Sequence, residues 1–325
     1  MSRARGKRRP GVHGIASACV VVLGCGDNHR VVDAANDAAA DFSFFVTSYT
    51  GLQRLSGNTS GFGGDLRFGE TGPGAGLRGA DKICAALAET SMTGAGAKTW
   101  RAFLSASDDG TGHQVDAIDR IGQGPWYDRV GRLLAPSVVD LLNARPANGD
   151  LTIRDDFPNE DGVPNHDPNG AGDVDNHDML TGSNAFGRLY AANATCLDWT
   201  AATGDVTTEG RPQVGHSWPR FGGGGGGGGG GGFPDGGLPF PGDGGVPPPR
   251  DGGFMPPDGG FPPPPDGGVG PGGGIGDVND WKSALTESGC APGVNLIETG
   301  GPDPNANTVG NGGGYGGFYC FGFKP

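Results

Sequence analysis

Basic residues are scarce in this chain. It carries 23 Lys and Arg against 36 Asp and Glu, for a formal net charge of −13. Five of the basic residues (Arg3, Arg5, Lys7, Arg8, Arg9) crowd into one short N-terminal segment, so the rest is more acidic still. Such a surface repels phosphate backbones, which argues against nucleic acid as a partner and disfavours heparin-like polyanions. Long apolar runs are missing too. The uncharged stretch GIASACVVVLG, residues 14–24, is well short of the ~20 residues a membrane-spanning helix needs. No later stretch is long and apolar enough to span. G-x-S-x-G, H-E-x-x-H and phosphate-loop signatures do not occur. The cysteines form no close CxxC pair, which argues against a four-cysteine zinc site.

Glycine, by contrast, is abundant. The 69 glycines and 27 prolines exceed a quarter of the chain, a level that signals low-complexity sequence. They concentrate in residues 221–276, which open with eleven consecutive glycines and continue in imperfect FPDGG and PPPRDGG repeats. Gly-X-Y periodicity is absent, so collagen is excluded. The segment has too little apolar surface to offset its ordering entropy and is expected to be a disordered insertion. It falls between Cys196 and Cys290, inside one domain rather than between two.

The N-terminus reads as an export signal. A basic segment precedes the apolar run of residues 14–24, and Cys25 follows. Val22-Leu23-Gly24-Cys25 resembles a bacterial lipobox, which implies lipidation of Cys25 and anchoring at the cell envelope, in the outer membrane or at the cell surface. An ordinary signal peptide cut nearby is the other reading. The expected organisation is a lipoprotein signal peptide at 1–24, a polar tether at 25–41 and a folded domain at 42–325. Cys19 lies in the signal. The domain keeps Cys84, Cys196, Cys290 and Cys320, an even set that in an exported chain implies disulfides, with three connectivities open.

Within the domain, Phe42–Ser48 is aromatic and β-branched and predicts a strand. A glycine-rich loop to Gly79 follows. Residues 80–90 place Ile83, Cys84, Leu87 and Ala88 on one helical face. Trp100–Ser105 predicts a second strand, and Pro136–Leu142 a short helix with proline near its start. Met179–Gly182 and Phe318–Phe321 read as further short strands.

Gly76-Leu77-Arg78-Gly79-Ala80-Asp81-Lys82-Ile83-Cys84, followed by Trp100-Arg101-Ala102-Phe103-Leu104-Ser105, resembles the signature of the endostatin domain, the C-terminal noncollagenous domain of certain collagens. Leu180–Ser183, Gly187–Leu189 and Cys196-Leu197-Asp198-Trp199-Thr200 are similar to its H-G-S…C-x-x-W segment, and Tyr319-Cys320 to its closing strand. The resemblance covers residues 42–220 and 277–325. It implies an α+β, C-type-lectin-like fold with two helices, a twisted antiparallel sheet and long loops. It also implies nested disulfides Cys84–Cys320 and Cys196–Cys290. The calcium-dependent sugar motifs of lectins, Glu-Pro-Asn and Trp-Asn-Asp, are absent here.

Candidate chemistry centres on residues 155–178. Asp161, Asp167, Asp173, Asp175 and Asp178 offer oxygen ligands for calcium, but the strict D-x-[DN]-x-[DN]-G spacing fails at Phe157. The alternatives are a solvated acidic loop, or zinc or copper at His166 and His177 with nearby Asp. His216 and Ser217 are adjacent, so in an extended segment they face opposite ways and do not form a nucleophile–base pair. Trp126, Tyr127, Trp199 and Trp218 either line a sugar-binding surface or sit in the core. The expected function is noncatalytic recognition or adhesion toward an envelope or extracellular glycan or protein. The membrane is contacted through the lipid alone. The alternative is an exported hydrolase with an unrecognised site.

Overall fold

A computed structural model describes residues 41–166, 176–219, 279–296 and 306–323. The expected signal, lipidation site Cys25 and Gly/Pro-rich insertion lie outside the described residues, as do Asp167, Asp173 and Asp175. No helix among the described residues is long and apolar enough to cross a membrane.

The organising element is the C-terminal strand β8 (Gly314–Phe323). Its buried Phe318, Tyr319, Cys320 and Phe321 form the centre of the core. Strand β1 (Phe44–Val46) pairs antiparallel with it, Phe45 opposite Cys320. Strand β2 (Thr99–Ala102) also pairs antiparallel, Ala102 opposite Cys320. Strand β5 (Asp178–Leu180) takes the earlier stretch of β8 and runs parallel to it, Leu180 opposite Phe318. The sheet continues through β6 (Gln213–His216) to β7 (Leu285–Thr286), both antiparallel steps. Strands β3 (Trp126–Tyr127) and β4 (Leu133–Ala135) form a separate two-stranded sheet.

The sheet is therefore mixed, which corrects the antiparallel expectation. Residue alternation fixes which face a side chain takes, not the direction of its neighbour. A parallel pair needs a long crossover, and the whole chain between Leu180 and Gly314 is available for one.

The two substantial helices are α1 (Tyr49–Ser56) and α2 (Ala75–Ser91); short helical turns lie at α3 (Ala117–Arg120), α4 (Val138–Leu141) and α5 (Leu151–Arg154). Helix α2 begins earlier than its apolar periodicity suggests. Its first turns are laid against other backbone: a Cβ on Gly79 would lie 2.1 Å from the Arg67 carbonyl oxygen, and one on Gly76 would lie 2.2 Å from that of Asp198. The opposite end of the helix buries Ile83, Leu87 and Ala88 and carries Cys84 to the sheet. Helix α1 occupies part of the expected glycine-rich loop. Ser48 caps it by accepting from the Gly51 amide (3.0 Å). Gly57 closes it in the left-handed region at φ 67°.

Two disulfides are present, Cys84–Cys320 and Cys196–Cys290, the nested pairing that the resemblance implies. The first joins α2 to β8. The second joins a turn at Cys196–Trp199, where four successive residues have positive φ, to the segment after β7. Left-handed backbone is costly for non-glycine residues. Here it is held by the disulfide, by the Trp199 indole N–H on the Ser105 carbonyl (2.8 Å), and by the Asp198 carboxylate accepting from the Ser107 amide (2.6 Å) and hydroxyl (2.7 Å).

The ladder of β6 and β7 pairs Gln213 with Thr286 and Val214 with Leu285, and the His216 amide donates to the Asp280 carbonyl (3.1 Å). The chain thus leaves the sheet after His216 and pairs with it again at Leu285, at the same end of one ladder. Deleting residues 222–276 is expected to leave the domain folded, changing Tm by less than about 10 °C, because loop length enters closure entropy only logarithmically. Calorimetry of the deletion variant beside the full chain checks this; a larger fall would show that the segment contributes packing.

Candidate functional site

Two adjoining features carry the polar chemistry at this end of the sheet. The first is buried. Cross-strand partners Asp178 and His216 sit directly opposite in the β5–β6 ladder, so their side chains lie on one face. His177 precedes β5, and the register of β5 on β8 shifts between Asp178 and Met179. A bulge of this kind re-aims neighbouring side chains. As a result Nε2 of His177 lies 3.4 Å from Asp178 Oδ1, and Nε2 of His216 lies 3.0 Å from the same oxygen. The imidazole rings meet edge to face at 4.1 Å. One donor atom from each of the three residues lies within 4.8 Å of the others, and all three residues are buried.

Glu287, just beyond β7, lies beside Asp178. Its Oε2 accepts from the Gly312 amide (2.9 Å) and the Ser288 amide (3.2 Å). Glycine at 312 is required by space: a Cβ there would lie 2.7 Å from Asp178 Oδ2 and 3.3 Å from Glu287 Oε1. Asp178 and Glu287 are both buried, and Asp178 is hydrogen-bonded by His216 and by Glu287. Burial pushes the Asp178 carboxyl up, but His177 and then His216 outweigh this and hold it below its usual range. Burial, reinforced by the Asp178 charge, pushes Glu287 well above the usual carboxylate range. Two acids side by side in a dry core do not both ionise without a compensating cation.

The second feature is an open cleft of ≈ 400 Å³ lined by Leu151, Thr152, Asp155, Asp156, His166 and Trp218. The Trp218 indole packs against His166 (4.3 Å) and His177 (4.8 Å), forming the wall between cleft and buried cluster. Its N–H donates to Asn176 Oδ1 (2.8 Å), which fixes the plane of the ring. Asp156 accepts from the His166 amide (3.0 Å), and burial pushes its carboxyl up. Beneath, Arg145 donates to the carbonyls of His216 (2.6 Å) and Ser217 (2.8 Å) and stacks on Phe157 at 4.4 Å. Burial pushes this guanidinium down to about 10. Its role is to hold the segment bearing Trp218.

Of the five candidate calcium ligands, the two among the described residues, Asp161 and Asp178, sit in different environments. Asp161 lies on the exposed Asn159–Val163 turn, where its amide donates to Asn159 Oδ1 (2.9 Å). Asp178 is fully buried with nitrogen donors beside it. His166 belongs to the cleft and His177 to the core, so the two histidines weighed together as ligands are separated by the Trp218 ring. His216 and Ser217 are both buried, and the Ser217 hydroxyl accepts from Asn165 Nδ2 (2.9 Å). Among the four aromatics, Trp126 and Trp199 are core, while Trp218 faces the cleft. The roles of His216 and Glu287 had no local signal. They become neighbours of Asp178 only through strand register, and Glu287 lies across the insertion. No protein-family model, curated protein or solved structure matches this chain.

Proposed function

We propose that this chain is an exported, lipid-anchored recognition protein of the cell envelope. Its domain is C-type-lectin-like and binds an envelope or extracellular glycan or protein without bond-breaking chemistry. The observation that carries the reading is the cleft at Trp218. His166 and Trp218, packed together and held by the indole N–H on Asn176, give the cleft an aromatic wall for the C–H face of a sugar ring or for an aliphatic side chain. Asp155 and Asp156 at its edge are acceptors for hydroxyl or ammonium donors. The net charge of −13 favours neutral or cationic ligands over polyanions. The motif resemblance to endostatin, the nested disulfides and the lipobox-like N-terminus support a displayed binding module.

The test uses full-length protein on glycan and envelope-protein arrays, with parallel assays on ester, glycoside and peptide substrates. Saturable binding is expected, reduced at least about tenfold by Trp218→Ala, since losing a stacking platform costs on the order of 1.4 kcal/mol or more. Reproducible turnover abolished by His216→Ala would establish the hydrolase instead.

A further inference from the structure

The geometry points to a buried structural site for a zinc-class divalent transition ion, held by His177, Asp178 and His216. Tetrahedral ligands about 2.0–2.1 Å from zinc lie ~3.3 Å apart. The Asp178 oxygen stands 3.4 and 3.0 Å from the two imidazole nitrogens, close to that edge length. All three residues are buried, which leaves no side open to substrate and makes an ion there structural rather than catalytic.

Charge and donor type select the ion. The Asp178 carboxylate supplies negative charge beside two imidazoles, a set that suits a divalent cation. Calcium prefers six to eight oxygens. Here one side chain supplies oxygen and two supply nitrogen, so a borderline ion that accepts nitrogen is favoured. The supporting shell is built for the purpose. Gly312 leaves no Cβ where the two carboxyls converge and fixes Glu287 through its amide. The ligands come from the start of β5 and the end of β6, so one ion would tie these two strands together at the sheet end where the segment after the insertion also pairs. This inference does not depend on the recognition reading.

The experiment begins with full-length protein denatured with chelator and refolded either in zinc or in chelator. Zinc refolding should yield about one ion per chain by mass spectrometry and raise Tm by about 10 °C. Calcium or magnesium at millimolar concentration should shift Tm by less than about 2 °C. Cobalt(II) should give the visible bands of a tetrahedral nitrogen–oxygen site. His177→Gln and His216→Gln should each weaken zinc at least about 100-fold in competition with a chelating dye. Because a variant can fail to fold for other reasons, the wild-type comparison decides alone. Equal melting with zinc and with chelator, or stoichiometric zinc that survives both His→Gln changes, would overturn the site and leave a proton-sharing cluster.

Discussion

Asp81→Ala should destabilise the domain by about 3–5 kcal/mol, the cost of leaving a buried charge without its partner. Asp81 projects from the second turn of α2 into a largely covered position, its side chain 14% exposed. Its Oδ1 accepts from the Ala102 amide (2.9 Å) and from Arg120 (2.9 Å), and its Oδ2 accepts from Arg120 (2.9 Å) and Arg101 (3.1 Å). The carboxylate thus fastens the helix to the edge of β2 and to the α3 turn at once. Burial pushes the Asp81 carboxyl above its ordinary value despite the neighbouring Arg120, and burial pushes the Arg120 guanidinium down. Both shifts mark an ion pair whose desolvation is heavy and whose members tolerate separation poorly. Removing Asp81 strands Arg120, which is 12% exposed. Urea unfolding of Asp81→Ala, Arg120→Met and the double variant forms the cycle. The double variant should lose far less than the sum of the singles, because it removes the buried charge with its partner. Additive losses would show that the two side chains act separately.

This pair explains why the Gly-Ala-Asp motif and the Arg-Ala-Phe strand are legible together in the sequence. Gly79 is needed for close approach to the backbone at Leu66 and Arg67, Asp81 for the β2 edge, and Cys84 for the bridge to β8. Each residue type follows from a local demand, so a short motif carries much of the fold. Strands β1 and β8 are legible for a related reason: their aromatic residues are buried on both faces in the sheet, while β2 alternates buried Trp100 and Ala102 with half-buried Thr99 and Arg101. Helix α1 was not legible. Its Thr50-Gly51 pair looks like loop chemistry, yet Gly51 is demanded by packing, since a Cβ there would lie 2.6 Å from Glu160 Oε1 and 2.7 Å from Leu87. The direction of β5 was not legible either, nor was the cluster around Asp178. That cluster rests on a cross-strand register between residues 178 and 216 and on Glu287 across the insertion. Individual residue types gave no sign of either. The acidic loop drew attention through its density of oxygens, whereas the structure concentrates burial and nitrogen donors at its last residue.

Trp281→Ala should cost about 3–5 kcal/mol, the range for deleting a buried tryptophan. Trp281 is fully buried where the chain resumes after the insertion. Its ring meets Phe103 at 4.6 Å and Tyr319 at 5.1 Å, with Phe157 and Phe321 at 6.0 and 6.2 Å. One side chain therefore joins the segment following β2, the centre of β8 and the loop carrying Phe157. The indole N–H donates to the Leu141 carbonyl (2.9 Å) at the end of α4, and the Trp281 amide donates to Ala144 (3.1 Å). Truncation opens a cavity among aromatic rings that cannot collapse readily, and it orphans the Leu141 acceptor. Trp281→Phe separates the two effects. It keeps most of the ring contact and gives up the hydrogen bond, so most of the alanine loss should be recovered, leaving a deficit of about 1–3 kcal/mol. If the packing reading is right, the Trp281→Ala loss should be the same within about 0.5 kcal/mol in the full chain and in the variant lacking residues 222–276. Equal losses would show that the second half of the fold docks through this indole. A Trp281→Ala loss below about 1 kcal/mol, or one present only in the full chain, would place the docking energy elsewhere.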